Sequence, residues 1–347
     1  MKQRLHLSAR LVVLLLTLAL MTAAEPEADI DPAVRAVLVR DLKFSASNLT
    51  DLSRGKIIKH SIDALAPGEI AIVGAARVRA SADQFVEHVR DIVRFKSGAD
   101  VLQIGRLSNP PTLEDLAPLS IGKTDLDLRE CRVGDCDIRL PADVISRFQR
   151  EIDWKTADAD QRAAALFKEV LLDNVKAYVS GGPGRIVQYD DDKRTVRPVD
   201  DFTGLMKNSP YIGALVPGLP DHLLSFPSNQ VSGAESFLYW SKEKFGLTPF
   251  ITVTHITIVP LADSRTYVIT SRDVYSSRYF DASLSLTIAS GVTGVPGAFY
   301  LVYANRSRAN ALKGPMSGLR RSIVERRVRN SVEENLKLTR QRLETRP

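Results

Sequence analysis

Between positions 250 and 305 the chain alternates apolar and polar residues more regularly than anywhere else. Across 250–259 the odd positions carry Ile251, Val253, His255, Thr257 and Val259, and the even ones Phe250, Thr252, Thr254, Ile256 and Ile258. Successive side chains of a strand point to opposite faces, so this period of two predicts strands at 250–259, 267–275, 279–289 and 299–305. In the third of these Phe280, Ala282, Leu284, Leu286 and Ile288 hold the even positions, while Tyr279, Asp281, Ser283, Ser285 and Thr287 hold the odd ones. The expectation is a half-buried antiparallel strand with one wet face, with Asp281 and Ser283 turned to solvent. Past Asn305 the period lengthens: Leu312, Met316, Leu319, Ile323 and Leu336 trace part of one stripe of a long terminal helix, with Val324, Val328 and Val332 beside it.

Upstream the signals are more mixed. Val34, Val37, Leu38 and Leu42 suggest a short helix ending near Phe44, followed by a loop or a new helix cap at 45–50. Ile70, Ile72 and Val78 mark a strand over 69–80, and Ser81 then caps a helix that carries Phe85, Val89, Ile92 and Val93. A strand over 101–104 and a short helix over 113–116 follow, on either side of Pro110-Pro111. Leu126, Leu128, Ile138 and Leu140 alternate around a turn as a hairpin would, and Pro141 opens a helix. The broad apolar face of 158–179 predicts a long helix, which the glycines of 180–184 stop. A strand is predicted at 186–189, then short helices among Pro210, Pro217, Pro220 and Pro227, and a helix over 234–245 carrying Phe237, Leu238, Trp240 and Phe245.

The N-terminus adds a destination. Lys2, Arg4 and Arg10 precede an apolar run from 11 to 21 that ends in Thr22, Ala23 and Ala24, the layout of a cleavable secretory signal. That run is well short of the roughly 20 residues that span a bilayer as a helix. Cleavage after Ala24 and export, periplasmic in a bacterium, are the expectation. The formal charge of +6 falls to +3 without those three basic residues, so the pI of 9.3 speaks only weakly for a polyanionic partner. Cys131 and Cys136 are the two cysteines, and in an exported chain their spacing favours a disulfide across a Gly-Asp turn. Free or redox-active thiols are the alternative, and no nearby ligand makes a metal site of them.

Candidate chemistry is sparse. The glycine cluster at 180–184 follows a helix and precedes a strand, the reverse of a phosphate-cradling loop, so a helix C-terminal turn is expected there. Asp190-Asp191-Asp192 lacks the glycine and spaced oxygens of an EF-hand loop and is expected to be a solvated acidic turn. His255 shares a strand face with three aliphatic residues and must find a partner; a satisfied core histidine, a pocket-lining group and a metal ligand or general base remain open. From Arg306 onward twelve Lys or Arg stand against four Asp or Glu, which reads as a solvated helix back or as a contact with an anionic membrane surface. Nothing calls for a cofactor or a metal, and no zinc module, basic zipper or RNA-binding signature points to nucleic acid.

The order of strand (69–80), helix (81–96), further strands, an antiparallel run (250–305) and a long closing helix is similar to that of the helix-grip proteins, the START-like and polyketide-cyclase-like superfamily. That resemblance implies an α+β fold in which a curved antiparallel sheet wraps the C-terminal helix and a ligand lies between them. It departs in the middle, where 141–245 would be a large helical insertion, and it carries over no residue motif. The segments Cys131-Arg-Val-Gly-Asp-Cys136, Phe237-Leu-Tyr-Trp-Ser-Lys-Glu243, Tyr279-Phe-Asp-Ala-Ser-Leu284 and Asn305-Arg-Ser-Arg308 also resemble an uncharacterised family of exported bacterial proteins, which brings no activity with it. The expected organisation is a signal at 1–24, an extension at 25–68 and one α+β domain over 69–347. The leading functional expectation is an apolar or amphipathic small molecule held between sheet and helix by His255, Tyr275, Tyr303 and Trp240. The alternatives are a hydrolase or cyclase using His255, and an envelope scaffold using the basic helix.

Overall fold

The computed structural model describes residues 30–122, 125, 127–244, 248–262, 265–314 and 317–345; the expected signal segment lies outside them. Local chemistry explains where the first elements begin. Asp31 accepts hydrogen bonds from the backbone N–H groups of Ala33 and Val34 and starts α1 (Pro32–Arg40), with proline at the first position, where its missing N–H costs nothing. Ser45 and Asn48 form a reciprocal capping box that starts α2 (Ala46–Ser53), which settles the loop-or-cap alternative at 45–50. After β1 (Ile58–Ser61) and β2 (Glu69–Val78), Ser81 and Gln84 repeat the device at the start of α3 (Ala82–Arg90). Asp91 ends that helix and caps α4 (Ile92–Lys96), so the single helix expected over 81–96 is two.

The chain crosses the sheet through α3 and α4 and returns at the far edge as β3 (Val101–Arg106). Among the described residues, five α-helices and two short 3-10 turns (Leu113–Leu116 and Pro183–Arg185) follow before the next strand: α5 (Ala142–Glu151), α6 (Ala159–Gly181), α7 (Pro198–Lys207), α8 (Tyr211–Leu215) and α9 (Leu219–Ser225). Then come β4 (Glu235–Lys244), β5 (Pro249–Pro260), β6 (Thr266–Ser276), β7 (Ala282–Gly291), β8 (Phe299–Arg308) and the closing helix α10 (Ser317–Glu344). The strands form one eight-stranded antiparallel sheet in the order β1-β2-β8-β7-β6-β5-β4-β3, curved and unclosed, with α10 packed against it in a helix-grip-like arrangement.

Several expectations need correction. Residues 235–244 are a strand rather than a helix: Phe237 and Tyr239 alternate with Leu238 and Trp240, and pairing to both β3 and β5 rewards that alternation. Among the described residues, which leave out Leu126, the hairpin expected around the cysteines does not form. Cys131 and Cys136 are joined as a disulfide, but only an Arg132–Asp135 bridge accompanies it, and Gly134 and Cys136 donate instead to the carbonyls of Asp190 and Asp191. The strand expected at 186–189 is reduced to one Tyr189–Val196 bridge. The acidic turn is not merely solvated, because Asp190 accepts from the Ala142 N–H at the head of α5 and from Thr195.

The largest correction concerns the wet face, since both faces of the sheet are covered. One, the insertion face, packs Val73, Val302, Leu286 and Ile288 under α1, α2 and α7–α9, and packs Ile251 and Val253 under α6. The other, the grip face, meets α3 through Phe85 and Val89 and α10 through Val332 and Leu336. Asp281 lies just before β7 and is 3% exposed, its carboxylate 2.6 Å from Arg139 Nη2, so it does not point to solvent. On α10 the seated residues are Val332 and Leu336, with Val324 and Val328 half buried beside them. Leu319 and Ile323 remain 62% and 57% exposed. Arg306 and Arg308 are withdrawn from the basic surface: Arg306 Nη1 lies 2.5 Å from the fully buried Glu69 carboxylate, and Arg308 bridges towards Glu69 and Asp201.

The grip depends on one missing side chain. A Cβ on Gly74 in β2 would lie 2.6 Å from Val332 Cγ1 and 2.9 Å from Leu336 Cδ1, so only glycine lets α10 sit this close to the sheet. Gly74→Val is expected to lower stability by about 1–3 kcal/mol and to expose α10 to limited proteolysis before the rest of the chain. Urea unfolding and a timed digest read by mass spectrometry check both; an unchanged midpoint and an undigested helix would show that the contact is not needed.

Candidate functional site

The four residues expected to converge on a ligand do not share a face. His255 is 1% exposed on the insertion face, with Nδ1 2.7 Å from the Tyr178 hydroxyl of α6 and the Phe226 ring 4.5 Å away between centroids. Burial first, then Arg272 and His222, lowers its pKa to about 3, so the ring is neutral at ordinary pH and unsuited to trading protons there. Trp240 is fully buried on the same face and donates through Nε1 to the Asp115 carbonyl at 2.8 Å, its ring lying over Gly105, where a Cβ would clash. Tyr275 donates to the Arg139 carbonyl at 3.1 Å and sits between Phe167 and Tyr189. These three are packed in the core and each makes one side-chain hydrogen bond, although His255 Nε2 has no protein partner. Tyr303 alone lies on the grip face with α10, half buried against that core.

Around Tyr303 the grip face holds a different population. Between the edge that α10 covers and the end under α3 and α4, cross-strand neighbours are polar in row after row. Asn305 pairs with Ser285 and Ser285 with Ser271; Tyr303 pairs with Thr287, Thr254 with Asp273, and Ser241 with Thr252. A register shift between Val253 and Thr254 sets the pattern on β6: Tyr275 stays with Val253 on the insertion face and Asp273 pairs with Thr254 on the grip face. Arg272 and Asp273, adjacent in sequence, therefore look into opposite sides of the sheet.

From α4 the Lys96 side chain reaches into this furrow. Its Nζ lies 2.7 Å from Glu243 Oε1 and donates to the Tyr239 hydroxyl at 3.2 Å. Ser241 donates to Glu243 at 2.6 Å and lies 3.0 Å from Thr252, and Thr254 donates to Asp273 Oδ1 at 3.2 Å. Asp273, Tyr303, Lys96 and Glu243 are half-buried and keep part of their surface open to solvent. For Lys96 and Glu243 the open fractions of the side chains are 30% and 22%.

Electrostatics mark this cluster. Burial raises the Asp273 carboxyl to about 7, with Glu243 adding to the effect against Thr254 and Lys96. Burial also pushes Tyr303 to about 12, despite Lys96 and a hydrogen bond with Ser285. The Glu243 carboxyl is held low: its burial, which alone would raise it, is outweighed by the ammonium of Lys96 and by hydrogen bonds from Lys96 and Ser241. At neutral pH the furrow thus holds one ion pair, one carboxyl near its midpoint and two phenols, among hydroxyls of which Ser241, Thr252, Thr254 and Ser285 are buried and Ser271 and Thr287 half-buried. Such a surface can orient a polar group through hydrogen bonds while the half-buried Phe95, Tyr303 and Val328 supply apolar walls.

Lys96, Tyr239, Glu243 and Asp273 were not singled out by sequence. The available signal was the run of Ser, Thr and Asp at alternate positions of consecutive strands, which on 279–289 reads equally well as a solvent face. Two hollows lie away from the furrow: one of about 20 Å³ beside Trp154, and an open one of about 210 Å³ between Arg197 and Lys313. Among the described residues no three His, Cys, Asp or Glu side chains are grouped to hold a metal ion. No protein-family model matches the chain, and no curated protein matches it in sequence.

Asp273 should register in the pH dependence of stability. Its folded value of about 7 lies above the ordinary 3.8, so the native state binds this proton more tightly than the unfolded chain does. The stabilisation is complete below the unfolded value and is lost as pH rises through about 7. Asp273→Asn is expected to leave stability near pH ~4 unchanged and to raise it by roughly 2 kcal/mol near pH ~8, allowing for partial solvent screening. Urea titrations at the two pH values check this; equal effects at both would show that Asp273 titrates normally.

Proposed function

We propose that the protein is an exported binding protein that holds an amphipathic small molecule in the furrow between the sheet and α10. The polar end of the ligand is directed at Asp273, Lys96 and Tyr239, and its apolar body lies along Tyr303 and the inner side of α10. The observation that carries this reading is the half-buried polar cluster on the grip face. A linked set of ionisable and hydroxyl groups runs from the buried Ser241 through Glu243 and Lys96 to the buried Tyr239, with Glu243 and Lys96 partly open to solvent. A solely structural network would be cheaper if built from apolar side chains, because enclosed charges carry a desolvation cost that packing alone does not repay. Relative to the sequence expectation, the ligand stays between sheet and helix while its contacts move from His255, Trp240 and Tyr275 to the grip face.

Export rests on the basic-then-apolar N-terminus together with the disulfide, since such bonds persist in oxidising compartments. No helix among the described residues is long and apolar enough to cross a membrane.

Native mass spectrometry of the protein isolated from the organism that makes it tests both parts. A bound species of small-molecule mass, released on denaturation, is expected. Ser271→Trp, which places an indole in the furrow, should weaken its binding at least tenfold, equivalent to about 1.4 kcal/mol. The protein mass should lack residues 1–24 and correspond to two oxidised thiols. A bare protein mass from that source, or a ligand that Ser271→Trp leaves in place, would sink the binding reading; an intact N-terminus would sink export.

A further inference from the structure

We propose that a small anion, of chloride or formate size, binds inside the insertion face on the edge of Arg272 formed by Nε and Nη2. Arg272 projects from β6 directly opposite His255 of β5 and is 1% exposed. Its Nη1 donates to the Leu223 carbonyl of α9 at 2.8 Å. Its flat face lies over the Phe202 ring of α7, 3.7 Å from the centroid, and 5.6 Å from that of Tyr178. Nε and Nη2 have no protein partner. These two nitrogens share the side of the guanidinium that meets a two-oxygen anion or a halide through two parallel N–H donors.

Charge makes the edge significant. Although burial lowers its pKa to about 10, Arg272 remains protonated at neutral pH. The adjoining carboxylate, Asp273, faces the other side of the sheet, and no described carboxylate lies within ion-pair distance of Arg272. A buried charge without a counter-charge costs several kcal/mol, of which two aromatic faces return only about 0.5–2 kcal/mol each.

Other buried polar groups of the insertion face also lack partners. His222 of α9 is 4% exposed with both ring nitrogens lacking protein partners; His255 Nε2 and Thr270 Oγ1 are likewise buried and unpartnered. Phe226 lies against both imidazoles, 5.7 Å from His222 and 4.5 Å from His255 between centroids. When the Tyr178 hydroxyl donates to His255 Nδ1, the neutral ring carries its proton on Nε2 and donates from there. Thr270 lies two residues from Arg272 on the same face, opposite Thr257. One cation, two imidazoles and a hydroxyl, each buried and with at least one unpartnered polar atom, thus lie in this part of the insertion face, and the near-complete burial of each favours an occupant of a few atoms. The site is on the opposite side of the sheet from the furrow and does not rest on the ligand reading given above.

The test uses the full mature chain. Thermal unfolding is followed at constant ionic strength while sodium gluconate, too bulky to enter, is replaced by chloride, bromide or formate, and crystals grown in bromide are measured at the bromine absorption edge. The expected result is a midpoint that rises by several degrees with one or more of the small anions, continuing with the logarithm of their concentration as mass action requires. An anomalous peak should lie beside Arg272 Nε and Nη2. Response to halides alone assigns a halide site, and response to formate alone assigns a carboxylate site; either supports the proposal. Arg272→Met, similar in length but uncharged, should lose the response. If that variant does not fold, Thr270→Val should lower the apparent affinity at least tenfold. Equal midpoints in gluconate and in all three small anions, with water rather than bromide beside Arg272, would overturn it.

Discussion

The pairing of β2 with β8 is the constraint on which everything else depends. Ten consecutive residues of β2, from Glu69 to Val78, meet ten of β8, from Arg308 back to Phe299. This ladder joins the first long strand to the last, so all that lies between must leave the sheet at one edge and return strand by strand from the other. The crossing is made by α3 and α4, whose Phe85 and Val89 fill one end of the grip face, and the meander from β3 to β8 follows. At the far end of the ladder Glu69 is fully buried and held by Arg306, Arg308 and Asn208. Removing one member of such a cluster leaves an uncompensated charge in the interior, which is far costlier than an exposed pair.

The same ladder fixes the position of α10. The helix follows β8 in sequence and settles on β2, where Gly74 permits close approach, and on β1, where Lys59 pairs with Glu333. Because it settles at that edge rather than across the middle, the central strands keep a polar strip that neither α10 nor α3 covers. The insertion helices do the opposite on the other side: they lie over β4 to β8 and bury His255, Trp240, Tyr275 and Arg272 to 2% exposure or less. Both faces of the sheet are covered, but on the grip face Tyr303, Asp273, Lys96 and Glu243 stay half-buried, so the polar groups on each face have different consequences. On the insertion face they need internal partners; on the grip face they can exchange partners with solvent or a ligand.

How far this was legible follows from what each signal reports. Alternation located β5 to β8 to within a few residues, because a period of two admits no helical reading over ten positions. Ser81 gave the start of α3 for the same reason that capping works at all: its side chain satisfies a backbone donor locally. The cysteine pair was legible from spacing and compartment. β4 was not, since Phe237, Tyr239 and Trp240 suit an aromatic-rich helix face as readily as a strand until β3 and β5 are known to flank it. The contact stripe of α10 was also hidden: Leu319 and Ile323 match Val332 and Leu336 in period, and only the position of β2 decides which are covered. Most consequentially, alternation tells which residues share a face but not what covers it. The Ser, Thr and Asp of the grip face therefore read as solvent-facing, and Lys96, arriving from a helix some 140 residues earlier than Glu243, could not be placed beside them.

The central claim is that the grip face is open at Tyr303 while the insertion face is sealed. Hydroxyl-radical footprinting of the native protein, with oxidation resolved residue by residue, measures this directly. Tyr303 is expected to be oxidised readily, while Tyr178, Tyr275 and Trp240 stay protected until the protein unfolds. Protection of Tyr303 equal to that of Trp240 in ligand-free protein would contradict an open furrow.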